Sequence, residues 1–106
     1  MKLRNKLSLI VALLASMLAP QAHAYDWYVA STVAYVEATY MPGAIVFTIN
    51  DAAGSCPAGS TLHWNPSSAD NAKAIFAALL GARASGTQIR MFGVNSGCVV
   101  SNLLFG

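Results

Sequence analysis

The chain of 106 residues is poor in charge, with 9% charged residues against 56% apolar ones. Three of its cations, Lys2, Arg4 and Lys6, stand at the N-terminus, so residues 25–106 keep Lys73, Arg83 and Arg90 against Asp26, Glu37, Asp51 and Asp70, a net charge of −1. No basic face remains to neutralise phosphates, which argues against a nucleic-acid partner, and a domain so low in charge must bury most of itself or offer apolar surface to a partner.

The first segment has the three parts of an export signal. Lys2, Arg4 and Lys6 precede an apolar run from Leu7 to Ala19, interrupted only by Ser8 and Ser16. Pro20 stops the run, and Ala22-His23-Ala24 has the small-x-small pattern of a cleavage site. The run is shorter than the roughly 20 residues that a membrane-spanning helix needs. Met1–Ala24 is therefore expected to be a cleavable signal, cut between Ala24 and Tyr25, leaving one small domain over residues 25–106 that is secreted or periplasmic.

Within that domain Thr32–Tyr40 is rich in β-branched and aromatic residues and predicts a strand, with Val33, Tyr35, Glu37 and Thr39 on one face. Met41-Pro42-Gly43-Ala44 predicts a turn, and Ile45–Asn50 the second strand of a hairpin. A loop at Asp51–Ser55, a turn at Pro57-Ala58-Gly59 and a short third strand at Thr61–Trp64 follow. The period then changes: Ala72, Ile75, Phe76, Leu79, Leu80 and Arg83 recur at helical steps. Ser67 or Ser68 suits the cap, Asp70 the first turn, and Gly86 the stop. Gln88–Val94 predicts a fourth strand with Ile89, Met91 and Gly93 opposite Arg90 and Phe92, and Cys98–Phe105 an apolar fifth. The expected class is mainly β (α+β). Five short strands with a helix between the third and fourth is the order of an OB-fold barrel; a flat sheet with one covering helix is the alternative.

Cys56 and Cys98 are the two cysteines, both beyond the leader. In an oxidising compartment an even pair reads as one disulfide, worth roughly 3–5 kcal/mol by the chain-entropy argument. No C-x-x-C spacing and too few Cys and His argue against redox or metal chemistry. The one histidine after the leader, His63, lies between Leu62 and Trp64 with no motif supplying a nucleophile or an acid, so it reads as a structural or rim residue. The four carboxylates show no paired spacing, and phosphate loops and nucleophile elbows are missing from the sequence. These observations predict a non-enzymatic protein without a cofactor. The aromatic residues suit stacking on sugars or docking on proteins. Trp64 and Tyr35 are expected in the core, and Tyr40, beside Met41-Pro42-Gly43 at the hairpin tip, is the best exposed contact.

Trp64-Asn65-Pro66-Ser67, an Ala/Leu-rich helix, and then Ser85-Gly86-Thr87-Gln88-Ile89-Arg90 resemble the binding (B) subunits of subtilase-cytotoxin and pertussis-like toxins, and short exported bacterial proteins of the same pattern. The resemblance spans Tyr35 to Cys98. It implies an OB-fold, a homo-oligomer forming a ring of five, recognition of sialylated glycans, and a catalytic A subunit as partner. The serine that grips sialic acid in those subunits corresponds to Tyr40-Met41-Pro42, and Tyr40, Met41 and Trp64 are the candidate ligand-binding residues. The expected function is thus recognition of a glycan or cell-surface partner. The alternatives are an envelope interaction protein, adding its apolar last strand to another sheet, and a periplasmic inhibitor of one enzyme. The intact mass of the exported form should equal residues 25–106 less the two hydrogens of the disulfide. A chain that keeps Met1, or thiols that alkylate without reduction, would overturn the export reading.

Overall fold

The computed structural model describes residues 25–106; the expected signal segment Met1–Ala24 lies outside the described residues. Strands β1 (Trp27–Ser31) and β2 (Val33–Glu37) are separated by Thr32 alone, and β3 (Ile45–Ile49) and β4 (Leu62–Trp64) precede a helix α1 (Ala69–Ser85). Strand β5 (Ile89–Val94), a 3₁₀ turn at Ser96–Cys98 and β6 (Val99–Leu104) complete the chain order. The six strands form one sheet in the order β1-β5-β6-β4-β3-β2, antiparallel throughout except for the parallel pair β4/β6.

β1 and β2 are consecutive in the chain yet occupy opposite ends of this order. The sheet must therefore curl until its two end strands meet at Thr32. Hydrogen bonds fix that corner to the end of β3. The Asn50 N–H donates to the Thr32 carbonyl at 3.1 Å, the Asn50 amide Nδ2 to Thr32 Oγ1 at 2.7 Å, and the buried Ser31 hydroxyl to Asp51 Oδ2 at 2.7 Å.

The concave face is apolar because alternate residues of each strand point to it. Ile45, Phe47 and Ile49 of β3 and Ile89 and Met91 of β5 are buried there, with Ala72, Leu79 and Ala82 of α1 packed against them. Helix α1 begins where Ser68 accepts a hydrogen bond from the Asn71 N–H at 3.0 Å and ends where Gly86 takes a left-handed φ of 69°, as the sequence predicts. Its buried stripe runs Ala72–Leu79–Ala82, whereas Leu80, expected on the stripe, is 43% exposed. One helical step of 100° carries Leu80 off the face that Leu79 buries.

Three further expectations are corrected. Six strands form rather than five, because Trp27–Ser31 adds a strand ahead of the expected first one. The expected strand Thr32–Tyr40 is only Val33–Glu37. Tyr35, expected in the core, is 70% exposed. A bulge causes this last reversal: Val33 pairs with Ile49 but Tyr35 with Thr48, so Ala34 is an extra residue on β2. An extra residue flips every later side chain to the other face, which turns Tyr35 outward and Val36 toward the core. Arg83 of α1 satisfies the disturbed backbone, its Nε donating to the Ala34 carbonyl at 2.8 Å while its guanidinium lies 5.9 Å from the Tyr35 ring centroid.

Cys56 and Cys98 form the expected disulfide, with Cα atoms 6.1 Å apart. It ties the loop after β3 to the turn before β6. Among the described residues no helix is long and apolar enough to cross a membrane.

Gly93, buried on β5, abuts the Trp27 indole so closely that an added Cβ would overlap the ring and the Val99 carbonyl oxygen. Gly93→Ala should therefore cost about 3 kcal/mol through overpacking. Gly86→Ala, with open space around it but a left-handed φ, should cost only about 1 kcal/mol. Urea unfolding of both variants measures the difference, and equal losses would contradict the packing of Trp27 against Gly93.

Candidate functional site

The turn between β2 and β3 builds a hollow on the convex side of the sheet. Val46 points away from the concave core, between Ile45 and Phe47 that point into it, and yet is only 4% exposed. It is covered because the turn folds back, with the Met41 N–H donating to the Ala38 carbonyl and the Ala44 N–H to the Tyr40 carbonyl, each at 3.1 Å. His63 stands directly across from Val46 in the β3/β4 pairing and so projects from the same face. Tyr40, Gly43, Ala44, Val46 and His63 together line an open hollow of about 430 Å³. Val46 and Ala44 give it apolar surface, and the Tyr40 phenol and His63 imidazole give it hydrogen-bonding groups.

The three residues expected to bind a ligand are not brought together. Tyr40 lines the hollow and is 58% exposed. Met41, the next residue, is half-buried and packs against the core instead. Trp64 is also half-buried against the core, with its indole Nε1 donating to Asn71 Oδ1 at 3.1 Å. The same Asn71 oxygen accepts the Ser67 N–H at 3.3 Å, so Trp64 anchors the start of α1 to β4. His63 lines the same hollow as Tyr40, a place that its sequence neighbourhood does not reveal. Their meeting depends on the β3/β4 register, and the only hint in the sequence is an alternation that sets His63 opposite the core-facing Leu62 and Trp64.

A second groove, of about 250 Å³, lies between the end of α1 and the adjoining ends of β5 and β6, lined by Ala78, Ala82, Ile89 and Phe105 among others. It has no aromatic ring paired with an ionisable group, so the Tyr40–His63 hollow is the better equipped for a polar ligand. Among the described residues no group of three or more metal-ligating side chains lies together. Compared with known proteins, the chain matches no family model, no curated protein and no solved structure.

Tyr40 and Trp64 separate cleanly by stability. Tyr40→Ala should change the unfolding free energy by less than about 0.5 kcal/mol, as expected of an exposed side chain. Trp64→Ala should cost roughly 3 kcal/mol, because it empties packed volume and frees the start of α1. Denaturant unfolding followed by far-UV circular dichroism measures both, and a large loss at Tyr40 would mean that its ring is structural.

Proposed function

We propose that residues 25–106 form an exported, non-enzymatic recognition domain built on an OB-like barrel, and that it holds a glycan in the Tyr40–His63 hollow. The barrel reading is supported by the bend at Thr32. Counted as two halves of one bent strand, β1 and β2 leave five strands with the helix between the third and fourth, which is the OB order.

The observation that carries the recognition reading is the exposed Tyr40 ring at the lip of a hollow floored by Val46 and edged by His63. An aromatic face suits the apolar side of a sugar ring, and a phenol and an imidazole supply hydrogen bonds to hydroxyls. Most ligand sites combine such an apolar lining with a few polar groups. Met41 packs inward and its side chain has no hydrogen-bond donor, so the proposal stops at a glycan and does not extend to a sialylated one. Self-association, as in the ring of five of the toxin B subunits, would strengthen a weak single site by avidity. An exported catalytic subunit as partner belongs to the same reading.

The exported form, applied to a glycan array, should bind a restricted set of sugars. Tyr40→Ala and His63→Ala should each weaken that binding by at least about tenfold, while Tyr40→Phe, which keeps the stacking face, should retain most of it. A blank array, or array signals indifferent to Tyr40, would end this reading. Sedimentation of the same preparation tests assembly, and a strictly monomeric protein would remove the ring from it.

A further inference from the structure

At the other end of the sheet order, the convex face of β1, β5 and β6 carries a second cluster that the hollow does not use. Tyr28 of β1 stands across from Phe92 of β5, and Phe92 across from Asn102 of β6. The Tyr25 and Tyr28 rings lie 4.6 and 4.9 Å from the Phe92 ring, so three aromatic rings are held against one another. Tyr25, Tyr28 and Leu104 are nevertheless 44%, 52% and 47% exposed. In the neighbouring row Arg90 stands between Ala30 and Leu104 and is itself exposed. None of the positions paired with it or next to it on this face is acidic.

We propose that this face docks an apolar segment of a partner protein that presents a carboxylate to Arg90. Tyr, Phe and Arg are the residues enriched where protein interfaces hold most of their energy. Rings already packed on one another lose little freedom when covered. The lone charge decides between occupants. A second copy meeting this face with its own would desolvate two Arg90 guanidiniums, and the carboxylate nearest the ring cluster, Asp26, already accepts the Asn95 N–H, an arrangement that disfavours self-pairing. A partner carboxylate satisfies the planar guanidinium through two parallel hydrogen bonds while the apolar residues beside it cover Tyr28 and Leu104.

Random linear peptides displayed on phage and panned on the exported form, its disulfide intact, test this. The enriched peptides should combine Asp or Glu with adjacent aromatic or aliphatic residues. As synthetic peptides they should lose at least about tenfold in affinity with Tyr28→Ala or Arg90→Ala, and be unaffected by Tyr40→Ala. Because both mutated side chains are exposed, circular dichroism should show these variants folded. A charge swap guards against indirect effects: Arg90→Glu should abolish binding, and replacing the peptide's acidic residue by Lys should restore it. The proposal is overturned if no peptide is enriched, if the peptides carry no carboxylate, or if binding ignores Tyr28 and Arg90. It is equally overturned if sedimentation shows Tyr28-dependent self-association, or if the array glycans compete for this face.

Discussion

The corner at Thr32 is where the two end strands of the curled sheet join. One residue separates a strand that pairs with β5 from a strand that pairs with β3, and these two pairings are the outermost in the sheet. β1 and β2 each pair on one side only, so the bend keeps both end strands short, which limits the edge that each offers for unwanted pairing. The hydrogen bonds from Asn50 to Thr32 and from Ser31 to Asp51 therefore do more than satisfy local groups. They tie the turning point to Asn50 and Asp51, the residues that follow β3. The buried Ser31 hydroxyl has its partner in Asp51, which avoids the cost of about 1–3 kcal/mol for an unsatisfied buried donor.

A second constraint follows from the first. Bending the strand at Thr32 brings Trp27 over the chain near the disulfide, between Gly54 and Gly93, where an added Cβ at either glycine would overlap the indole. The ring is only 5% exposed, and its Nε1 has no hydrogen-bond partner among the described residues. Burying an indole N–H without a partner is unfavourable, so the packing of this large ring must outweigh the loss. Neighbouring groups hold the surrounding loops in place: Asp26 accepts the Asn95 N–H at 2.9 Å, and Asn95 in turn accepts the Ser55 N–H at 3.0 Å. The Cys56–Cys98 bond joins the same two loops covalently. Trp27 is thus enclosed by two glycines and by loops that side chains and a disulfide both restrain.

These constraints explain what could be read from the sequence. The helix with its Ser68 and Gly86 ends, the hairpin to β3, the alternation of β5 and the disulfide all rest on residues close in sequence or on an even cysteine count, and all are legible. The Ala34 bulge is not, because a bulge is a mismatch between two strands and neither strand shows it alone. That hidden residue turns Tyr35 outward, against the expectation that the aromatic rings fill the core. The strand Trp27–Ser31 also escapes, since its pairing partner β5 lies far along the chain and only the bend reveals the continuity. The candidate site divides the same way. Tyr40 was recognisable from the turn beside it, whereas its meeting with His63 needed the β3/β4 register, and the inward turn of Met41 needed the packed fold.

Charge patterning carries the last step. Residues 25–106 have so few charged side chains that their placement is informative, and most have a local partner or a position that accounts for them. Asp26 accepts a turn N–H, Glu37 accepts the Thr39 hydroxyl at 2.9 Å, Asp51 accepts the Ser31 hydroxyl, and Asp70 lies in the first turn of α1 where the helix dipole favours it. Arg83 holds the bulged carbonyl of Ala34. Arg90 has no such task at hand, since it lies on a regular stretch of β5 among neutral neighbours. An exposed cation in that position keeps its full hydration at little cost, so it contributes little to the isolated fold. Its effect is on what can cover the face: an apolar surface alone would strip its water without return, while a surface with a matched anion would not. The same sheet thus presents an aromatic hollow at one end and a ring cluster with a single cation at the other, and the scarcity of charge elsewhere makes that one cation selective.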